Sequence, residues 1–388
     1  MTMAPRERLS DWVARHPASL PGRLVALRHG LPRPSDRREV ATPPDTEVRV
    51  LIGPANHAGQ ATRWARALED AVEGLGARSF AVETRFGFPA DAVVVDRVFQ
   101  NSARWQRSQM RAARGFTHLL VESVRPPFGR LARRDLRKQL ALLPADVRVA
   151  FVCHGTDVRS NRRPSDTLTP TERQTDRIAA RHRALLAELD RPTFVTTPDL
   201  LDDMPDAVWL PVVVDVGRWE VGERPAAARL RVVHAPSRSA VKGTALIEPI
   251  ARALHEEGVI DYRPLSGVPH ADMPGVLRDA DVVLDQFVLG SYGVAACEAM
   301  AAGAVVVGHV TPSVRERVHA ATGRTLPLVE STPETLDAVL RGLADDVEER
   351  ERLAAAGRMF VHEVHDGRVS AEILSRNWID ATPRRKNE

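Results

Sequence analysis

The chain has very few cysteines and no long apolar run. Its two cysteines, Cys153 and Cys297, lie in apolar surroundings without the spacing of metal ligands, so the sequence excludes a disulfide framework and a zinc site. The longest apolar stretches, such as residues 299–307, are too short to span a membrane. Residues 1–6 lack the apolar core of a signal peptide. We therefore expect a cytoplasmic protein with reduced thiols.

Size and composition indicate an ordinary folded protein of more than one domain. The chain has 388 residues, of which 43% are hydrophobic and 27% charged. That length is enough for two domains, each with its own core.

The formal net charge of +3 hides a strongly basic segment. Residues 101–140 contain ten Arg or Lys side chains and only two acids, Glu122 and Asp135. Such a cluster favours contact with an anionic membrane face or a phosphorylated acceptor, although a solvated helix face has the same pattern. No nucleic-acid recognition motif accompanies the charges, so we expect no nucleic-acid partner.

Apolar strand patterns alternate with amphipathic helix patterns along most of the chain, which predicts parallel sheets covered on both faces. The expected regions are an Arg- and Pro-rich extension (1–45) with a helix near 8–15, an N-terminal domain (46–215), a C-terminal domain (216–360) and terminal helices (361–388) that cross back to the N-terminal domain. Predicted strands cover residues 48–52, 78–83, 118–122, 148–153, 193–196, 208–212, 230–234, 260–265, 282–287, 305–309 and 326–329. The predicted fold class is α/β, with two Rossmann-like doubly wound domains facing across a cleft.

Two pieces of the C-terminal half are typical of a nucleoside diphosphate site. The first is Lys242-Gly243. The second is a strand ending at Asp285, a glycine-bearing loop and a helix that starts near Val294 and carries Glu298. A helix N-terminus offers N–H groups to phosphate, and a carboxylate can accept hydrogen bonds from ribose hydroxyls.

These motifs resemble those of GT-B retaining glycosyltransferases of the family 4 type. The resemblance rests on His234-Ala235-Pro236-Ser237-Arg238 with Lys242-Gly243-Thr244, on Ala280-Asp281-Val282-Val283-Leu284-Asp285-Gln286, and on Cys297-Glu298-Ala299-Met300-Ala301-Ala302-Gly303. Supporting matches are the loop of residues 53–60 and the segment of residues 154–159, which begins with His154. The similarity covers residues 48–380, and its motifs are specific in combination and weak singly.

The resemblance implies roles for individual residues. His154, Arg238 and Lys242 would be catalytic, with the two cations stabilising the leaving diphosphate, and Glu298 would bind the ribose. The complete set of expected donor-binding residues is Gly59, Gln60, Asp157, Leu265, Ser266, Gly267, Val268, Asp285, Ser291, Tyr292, Gly293, Val294 and Glu298. Each has a plainer alternative: surface cations, an acid favoured by a helix dipole, a structural histidine or a tight turn.

One departure from the family pattern concerns the transferred sugar. The family carries a glutamate eight positions before the one matched by Glu298, and this chain has Gly290 there. Contacts to the sugar must then come from the amides of residues 291–293 or from Asp285.

The implied reaction moves a sugar, with retention, from a UDP- or GDP-linked donor to a hydroxyl of a glycan, lipid-linked or small-molecule acceptor. We expect no permanently bound cofactor and no metal requirement, because no Asp-x-Asp motif accompanies the site. The alternatives are a sugar-nucleotide epimerase of the same fold and a catalytically weak or inactive nucleotide-binding protein.

Overall fold

The structure, a computed structural model, describes residues 12, 19–84, 86–163, 166–219, 227–236 and 239–381. Contacts divide the chain into two units. Unit 1 runs to Thr196 and includes Leu200–Leu210 and the chain from Ala371; unit 2 comprises Thr197–Asp199 and Pro211–Ser370. The expected domain boundaries at 45/46, 215/216 and 360/361 stay a prediction. Arg238 and, apart from residue 12, the helix expected at 8–15 lie outside the described residues.

Unit 1 is built on a seven-stranded, all-parallel sheet with the strand order β3-β2-β1-β4-β5-β6-β7. The strands are β1 Val48–Gly53, β2 Leu75–Val82, β3 Ala92–Val94, β4 His118–Glu122, β5 Arg148–Cys153, β6 Thr193–Val195 and β7 Val208–Trp209. The helices are α1 Leu20–Leu27, α2 Gln60–Ala71, α3 Asp96–Asn101, α4 Ala103–Ala113, α5 Leu136–Leu140 and α6 Pro170–Leu189. The central strands are apolar and buried on both faces, as expected for a covered parallel sheet.

Unit 2 contains a five-stranded parallel sheet with the order β12-β11-β10-β8-β9. Its strands are β8 Leu230–His234, β9 Ile260–Pro264, β10 Val282–Leu284, β11 Val305–Gly308 and β12 Val329–Glu330. Helices α7 Val216–Trp219, α8 Ser239–Lys242, α9 Thr244–Glu256, α10 Met273–Arg278, α11 Val294–Ala301, α12 Pro312–Thr322, α13 Leu336–Asp345 and α14 Val347–Val364 follow the strands or finish the unit.

The last elements of the described residues are α15 Arg368–Leu374 and a π-helical turn, Ser375–Ile379, which belongs to unit 1. Trp378 Nε1 donates to the carbonyl oxygen of Arg148 at 3.2 Å, and its ring lies edge-on to His118. Arg148 in turn donates to the carbonyl oxygen of Ile379 at 2.7 Å. No helix within the described ranges combines the length and apolar character needed to cross a bilayer.

Helix α6 shows why some boundaries are readable in sequence. Thr169 Oγ1 accepts from the N–H of Glu172, and the Glu172 carboxylate accepts from the N–H of Thr169, with Pro170 at the first helical position. The Thr-Pro-Thr-Glu run of residues 169–172 predicts this capping box from the sequence alone, and the structure confirms it.

The pair Ala356-Gly357 in the sequence predicts a break, with a new helix starting at Met359; the structure of α14 corrects that prediction. The helix begins at Val347, because the Asp346 carboxylate accepts from the N–H of Glu349, and it runs through Gly357 without a break. A β-carbon at Gly357 would lie 3.3 Å from the Met300 side chain. The glycine therefore permits close packing of α14 on α11 and does not end a helix.

Candidate functional site

Unit 2 has a polar cluster at the point where its strand order reverses. The first strand, β8, lies between β9 and β10. The chain therefore passes from β8 to β9 on one side of it and then crosses to β10 on the other side. Open α/β sheets bind ligands at the carboxyl edge of such a switch point. Lys242, at the end of the short helix after β8, forms an ion pair there with Asp285, which directly follows β10.

The Lys242–Asp285 pair is largely shielded from solvent. The Lys242 side chain is 19% exposed and that of Asp285 is 3% exposed. Asp285 Oδ2 has no hydrogen-bond partner within the described residues. A buried carboxylate with one unpaired oxygen binds a hydrogen-bond donor strongly. Lys242, which the sequence assigns to phosphate, is therefore paired with Asp285 in this structure.

Gly243 and His234 explain why the Lys-Gly turn has its shape. Gly243 has φ +77°, and a β-carbon there would lie 3.2 Å from side-chain atoms of both Phe287 and Val288. His234 Nδ1 donates to the carbonyl of Leu284 at 2.8 Å, and its Nε2 contacts Thr244 Oγ1 at 2.8 Å. The turn after β8 is thereby fixed against the end of β10.

The N-terminus of α11 lies at the same edge and has no side-chain cap. Gly293 has φ −154° and precedes Val294, the first helical residue. The N–H groups of the first turn have no partner within the helix, and the helix dipole adds positive potential. Ser291 Oγ and Gln286 Oε1 are also buried without a hydrogen-bond partner in the described ranges. This loop can therefore hold an anion.

Glu298, in the second turn of α11, is engaged by a histidine that the sequence did not single out. His270 Nε2 donates to Glu298 Oε1 at 2.8 Å, and both side chains are largely buried. The His270 ring lies edge-on to Trp219 at 5.7 Å, and Arg218 donates to the carbonyl oxygen of His270 at 3.1 Å. The glutamate that is expected to bind ribose is thus oriented by the segment that follows β9.

The segment expected to contact the base follows β9 directly. Leu265 donates its N–H to the carbonyl of His234 at 2.8 Å, and Gly267 has φ +67°. Ser266 and Gly267 are exposed, whereas Leu265 and Val268 are half-buried. Backbone groups are therefore presented at this edge.

Gly290 is fixed as a glycine by its conformation. Its φ is +67°, and a β-carbon would lie 2.6 Å from Thr311 Cγ2. Both facts exclude a glutamate in this loop conformation. The conformation of this loop therefore requires a glycine, and not a carboxylate side chain, at residue 290.

The side chain of Tyr292, a residue expected to contact the donor, packs into the core. The residue is 3% exposed, its hydroxyl lies 3.2 Å from His365 Nε2, and its ring packs against Phe360. Burial raises the pKa of Tyr292 well above its usual range. His365 Nδ1 donates to the carbonyl of Val212 at 2.7 Å. Only the backbone of Tyr292 is available to a ligand.

Unit 1 repeats the arrangement at its own switch point, between β1 and β4. Glu122, the last residue of β4, is fully buried. Its Oε2 accepts from the N–H groups of Ala55 at 2.8 Å and Asn56 at 2.6 Å in the loop after β1. Burial alone would raise the pKa of Glu122, but contact with His154 and these N–H groups outweighs it and keeps the pKa below its usual value. Glu122 therefore carries its charge at neutral pH.

His154 directly follows β5, and its side chain is largely buried, with 12% exposed. Its Nε2 is 3.2 Å from Glu122 Oε1. The ring stacks on Trp64 at 5.8 Å and meets the edge of His57 at 4.7 Å. Burial, followed by the nearby His154, lowers the pKa of His57 to about 4, so His57 is neutral at physiological pH.

The other residues assigned to unit 1 have mainly local structural contacts. Asp157 accepts from the N–H groups of His154 and Gly155, with distances down to 2.6 Å, and so caps the turn after β5. Gly59 has φ +76° and precedes α2, whose first residue, Gln60, is buried. A cavity of about 250 Å³ lies nearby, with Asn56 and Phe88 in its wall.

The fold is that of GT-B glycosyltransferases. Sucrose-phosphate synthase from Thermosynechococcus elongatus is similar, with a TM-score of 0.56, 13% identity and coverage of 84% of this chain and 96% of that one. Anabaena HepE in complex with UDP-glucose is similar, with a TM-score of 0.54, 13% identity and coverage of 84% and 98%. WaaG, a glycosyltransferase involved in lipopolysaccharide biosynthesis, has a TM-score of 0.50, 15% identity and the same coverage.

These structures share the fold of this chain at low sequence identity. Comparison of the sequence with protein-family models and with curated proteins gives no match.

Sequence reasoning missed Glu122 and His57 at the switch point of unit 1 and His270 beside Glu298 in unit 2. It also missed His309, which follows β11, and Glu330, which ends β12. Glu122 carried one usable signal, because it ends an apolar strand where a side chain reaches the carboxyl edge of the sheet. The isolated histidines carried none.

Proposed function

We propose that this protein is a retaining glycosyltransferase that takes a sugar from a nucleoside diphosphate donor bound by unit 2. One observation carries the proposal. Lys242 and the uncapped start of α11 lie at the carboxyl edge of one sheet, on the two sides of its switch point. A cation and free backbone N–H groups are what a diphosphate requires.

The resting contacts indicate how the diphosphate binds. Lys242 exchanges Asp285 for a phosphate oxygen, and the first-turn N–H groups of α11 bind the same group. The exchange is favourable because the phosphates carry more negative charge than the carboxylate and accept several hydrogen bonds. Asp285 thus competes with the ligand for the lysine.

In this proposal the nucleoside binds on the side of β8 where β9 lies. Glu298, oriented by His270, accepts from the ribose hydroxyls, and the backbone of residues 265–268 contacts the base. HepE binds UDP-glucose, so a UDP-linked sugar is the first donor to test and a GDP-linked sugar the second.

The reaction needs no metal ion in this proposal. The bond between the sugar C1 and the phosphate oxygen breaks, and its electron pair stays on the diphosphate. The acceptor oxygen bonds to C1 on the same face, and the acceptor proton passes to the leaving phosphate. Lys242 and the α11 dipole stabilise the charge that develops on the diphosphate. Full activity in EDTA is expected, and loss restored by Mg²⁺ or Mn²⁺ would contradict this point.

In unit 1 we assign His154 and Glu122 to the transfer step and the nearby cavity to the acceptor. The His154 Nε2 atom lies 3.2 Å from the ionised Glu122, which can hold the ring in one orientation for the transfer step. The cavity presents both polar and apolar groups, Asn56 and Phe88 among them, as a glycan or lipid-linked hydroxyl compound requires. His154→Gln should lower turnover with little effect on nucleotide binding.

The basic segment supplies a proposed membrane contact on the cytoplasmic side. Arg104, Arg107 and Arg111 on α4 and Arg114 at its C-cap recur at helical spacing, and all four are exposed. Each basic side chain near an anionic bilayer contributes about 1 kcal/mol. Arg104→Glu/Arg111→Glu should abolish sedimentation with phosphatidylserine vesicles at low salt. A control of equal charge change at two exposed arginines elsewhere, Arg191→Glu/Arg229→Glu, should retain it.

The test of the main proposal is a binding titration with UDP, GDP and their sugar conjugates. Lys242→Ala should weaken binding of the diphosphate about tenfold to a hundredfold, the range for a lost charge-assisted hydrogen bond. That variant also leaves Asp285 buried and unpaired, which destabilises the protein, so Lys242→Met/Asp285→Asn serves as the companion variant. Lys138→Ala, at an exposed lysine, is the matched control and should bind normally.

A non-catalytic nucleotide-binding protein remains the second candidate, because the loop at Gly290 leaves no room for a carboxylate. Diphosphate binding without turnover of any donor, across a panel of acceptors, would favour it. Transfer with retention of configuration would exclude it.

A further inference from the structure

The loop after β11 is joined to the glycine loop after β10 by backbone hydrogen bonds. His309 donates its N–H to the carbonyl of Gln286 at 2.8 Å, and Thr311 donates to the carbonyl of Gly290 at 2.9 Å. The backbone at His309 therefore has a fixed position relative to Gly290 and to the α11 N-terminus a few residues later.

The imidazole of His309 lies beside the empty side-chain position of Gly290. Its Nε2 is 3.5 Å, and its Cδ2 3.6 Å, from the place where a β-carbon of residue 290 would stand. The side chain is 32% exposed. The glycine thus leaves the ring edge uncovered by a side chain at residue 290.

A second residue holds this ring in place. His309 Nδ1 donates to Glu330 Oε1 at 2.6 Å. Glu330 Oε2 accepts from the N–H of Val310 at 2.9 Å and from Arg315 at 3.1 Å. Because a carboxylate only accepts, the proton lies on Nδ1 in the neutral ring. The lone pair of Nε2 then points away from Glu330 and can accept a hydrogen bond.

We propose that His309 determines donor specificity by accepting a hydrogen bond from a hydroxyl of the transferred sugar, with Glu330 as its positioning residue. This inference rests on the proposed function. If the diphosphate binds at the α11 N-terminus, the attached sugar lies within a few ångströms of that helix start. His309 is a half-buried polar side chain, held by Glu330, beside the loop that leads into the helix.

The chemistry selects a hydroxyl rather than a charged substituent. A neutral Nε2 acceptor matches an O–H donor, and the adjacent Glu330 disfavours a carboxylate on the sugar. A deoxy sugar lacking that hydroxyl leaves Nε2 without its donor and binds less tightly.

The experiment compares each nucleotide with its sugar conjugate by titration calorimetry, using UDP with UDP-glucose and GDP with GDP-mannose. In wild type the conjugate should bind more tightly than the nucleotide. His309→Ala should leave the Kd of the nucleotide unchanged and weaken the conjugate about three- to tenfold, as expected for one neutral hydrogen bond. His309→Gln, which can place a polar atom near the position of Nε2, should restore part of the difference.

Glu330→Gln separates positioning from folding. It keeps an acceptor for Nδ1 and removes the charge, so the conjugate should lose a smaller part of its affinity than in His309→Ala, at an unchanged Kd for the nucleotide. Melting curves verify that each variant is folded. If His309→Ala does not fold, His309→Gln is compared with wild type instead.

The outcomes separate two failures. If neither nucleotide nor conjugate binds wild type, both the proposed function and this inference are overturned. A second result overturns only the role of His309. In that result the nucleotide binds wild type, and His309→Ala either weakens nucleotide and conjugate by the same factor or weakens neither.

Discussion

Gly290→Ala is predicted to destabilise unit 2 because of both conformation and space. A residue with a β-carbon in the left-handed region costs about 1–2 kcal/mol. The new methyl would lie 2.6 Å from Thr311 Cγ2, and overpacking of that kind costs about 1–3 kcal/mol. We therefore expect a loss of about 2–5 kcal/mol in the free energy of unfolding, measured by urea denaturation at pH 7.

Thr311→Ser separates the two contributions, because it deletes the methyl that clashes and keeps the hydroxyl bonded to Ser313. Gly290→Ala/Thr311→Ser should recover the packing part, giving a coupling of about 1–3 kcal/mol in the double-mutant cycle. Gly293→Ala is the control, since its φ is −154° and a β-carbon would meet nothing within 4 Å. That control should stay within about 0.5 kcal/mol of wild type. A Gly290→Ala protein as stable as the control would refute the assigned loop conformation.

Further predictions concern charge at the two switch points. Asp285→Asn should tighten binding of UDP by about 1 kcal/mol, because it weakens the competitor for Lys242; calorimetry showing weaker binding would oppose this. Glu122→Gln should cost about 1.5–3 kcal/mol in urea unfolding, since a neutral amide oxygen accepts the two backbone N–H bonds more weakly than the charged carboxylate oxygen does, and unchanged stability would contradict its role. His270→Ala should weaken UDP binding several-fold through Glu298, with partial rescue in His270→Gln; equal binding by both variants at the wild-type level would remove its positioning role.

The same group includes a pH effect. Burial lowers the pKa of His365 to about 4. As the pH falls, His365 is therefore protonated in the unfolded chain before it is protonated in the folded protein. Its contribution to stability is complete above the unfolded pKa of about 6.5 and is lost as the pH falls toward 4. Between pH 7 and pH 5 the loss is about 2 kcal/mol. His365→Asn should flatten this part of the urea-stability profile, and an unchanged slope would contradict the assignment.

Much of the fold was readable because buried apolar runs leave few choices. Strands β4, β5 and β8 have the predicted bounds, and each has a buried apolar centre with polar residues at or near its ends. The three-residue strand Ala92–Val94 was missed because so short a run carries no periodicity. The start of α14 was missed because Gly357 was read as a break, although packing against Met300 requires a small residue there.

The candidate site was predictable to the extent that it depends on local geometry. A glycine loop before a helix predicts an anion site, and the described structure has the open helix start at Val294. The ion pair of Lys242 with Asp285 and the contact of His270 with Glu298 join residues far apart in sequence. Such pairs depend on strand order, which a single sequence does not contain.

The central claim is that the α11 N-terminus and Lys242 bind the diphosphate of the donor. A crystal structure of the protein with UDP, or with GDP if only GDP binds, tests it most directly. The account predicts phosphate oxygens within about 3 Å of Lys242 Nζ and of the first-turn N–H groups of α11, with the Lys242–Asp285 contact opened. A nucleotide bound elsewhere, with that ion pair intact, would contradict it.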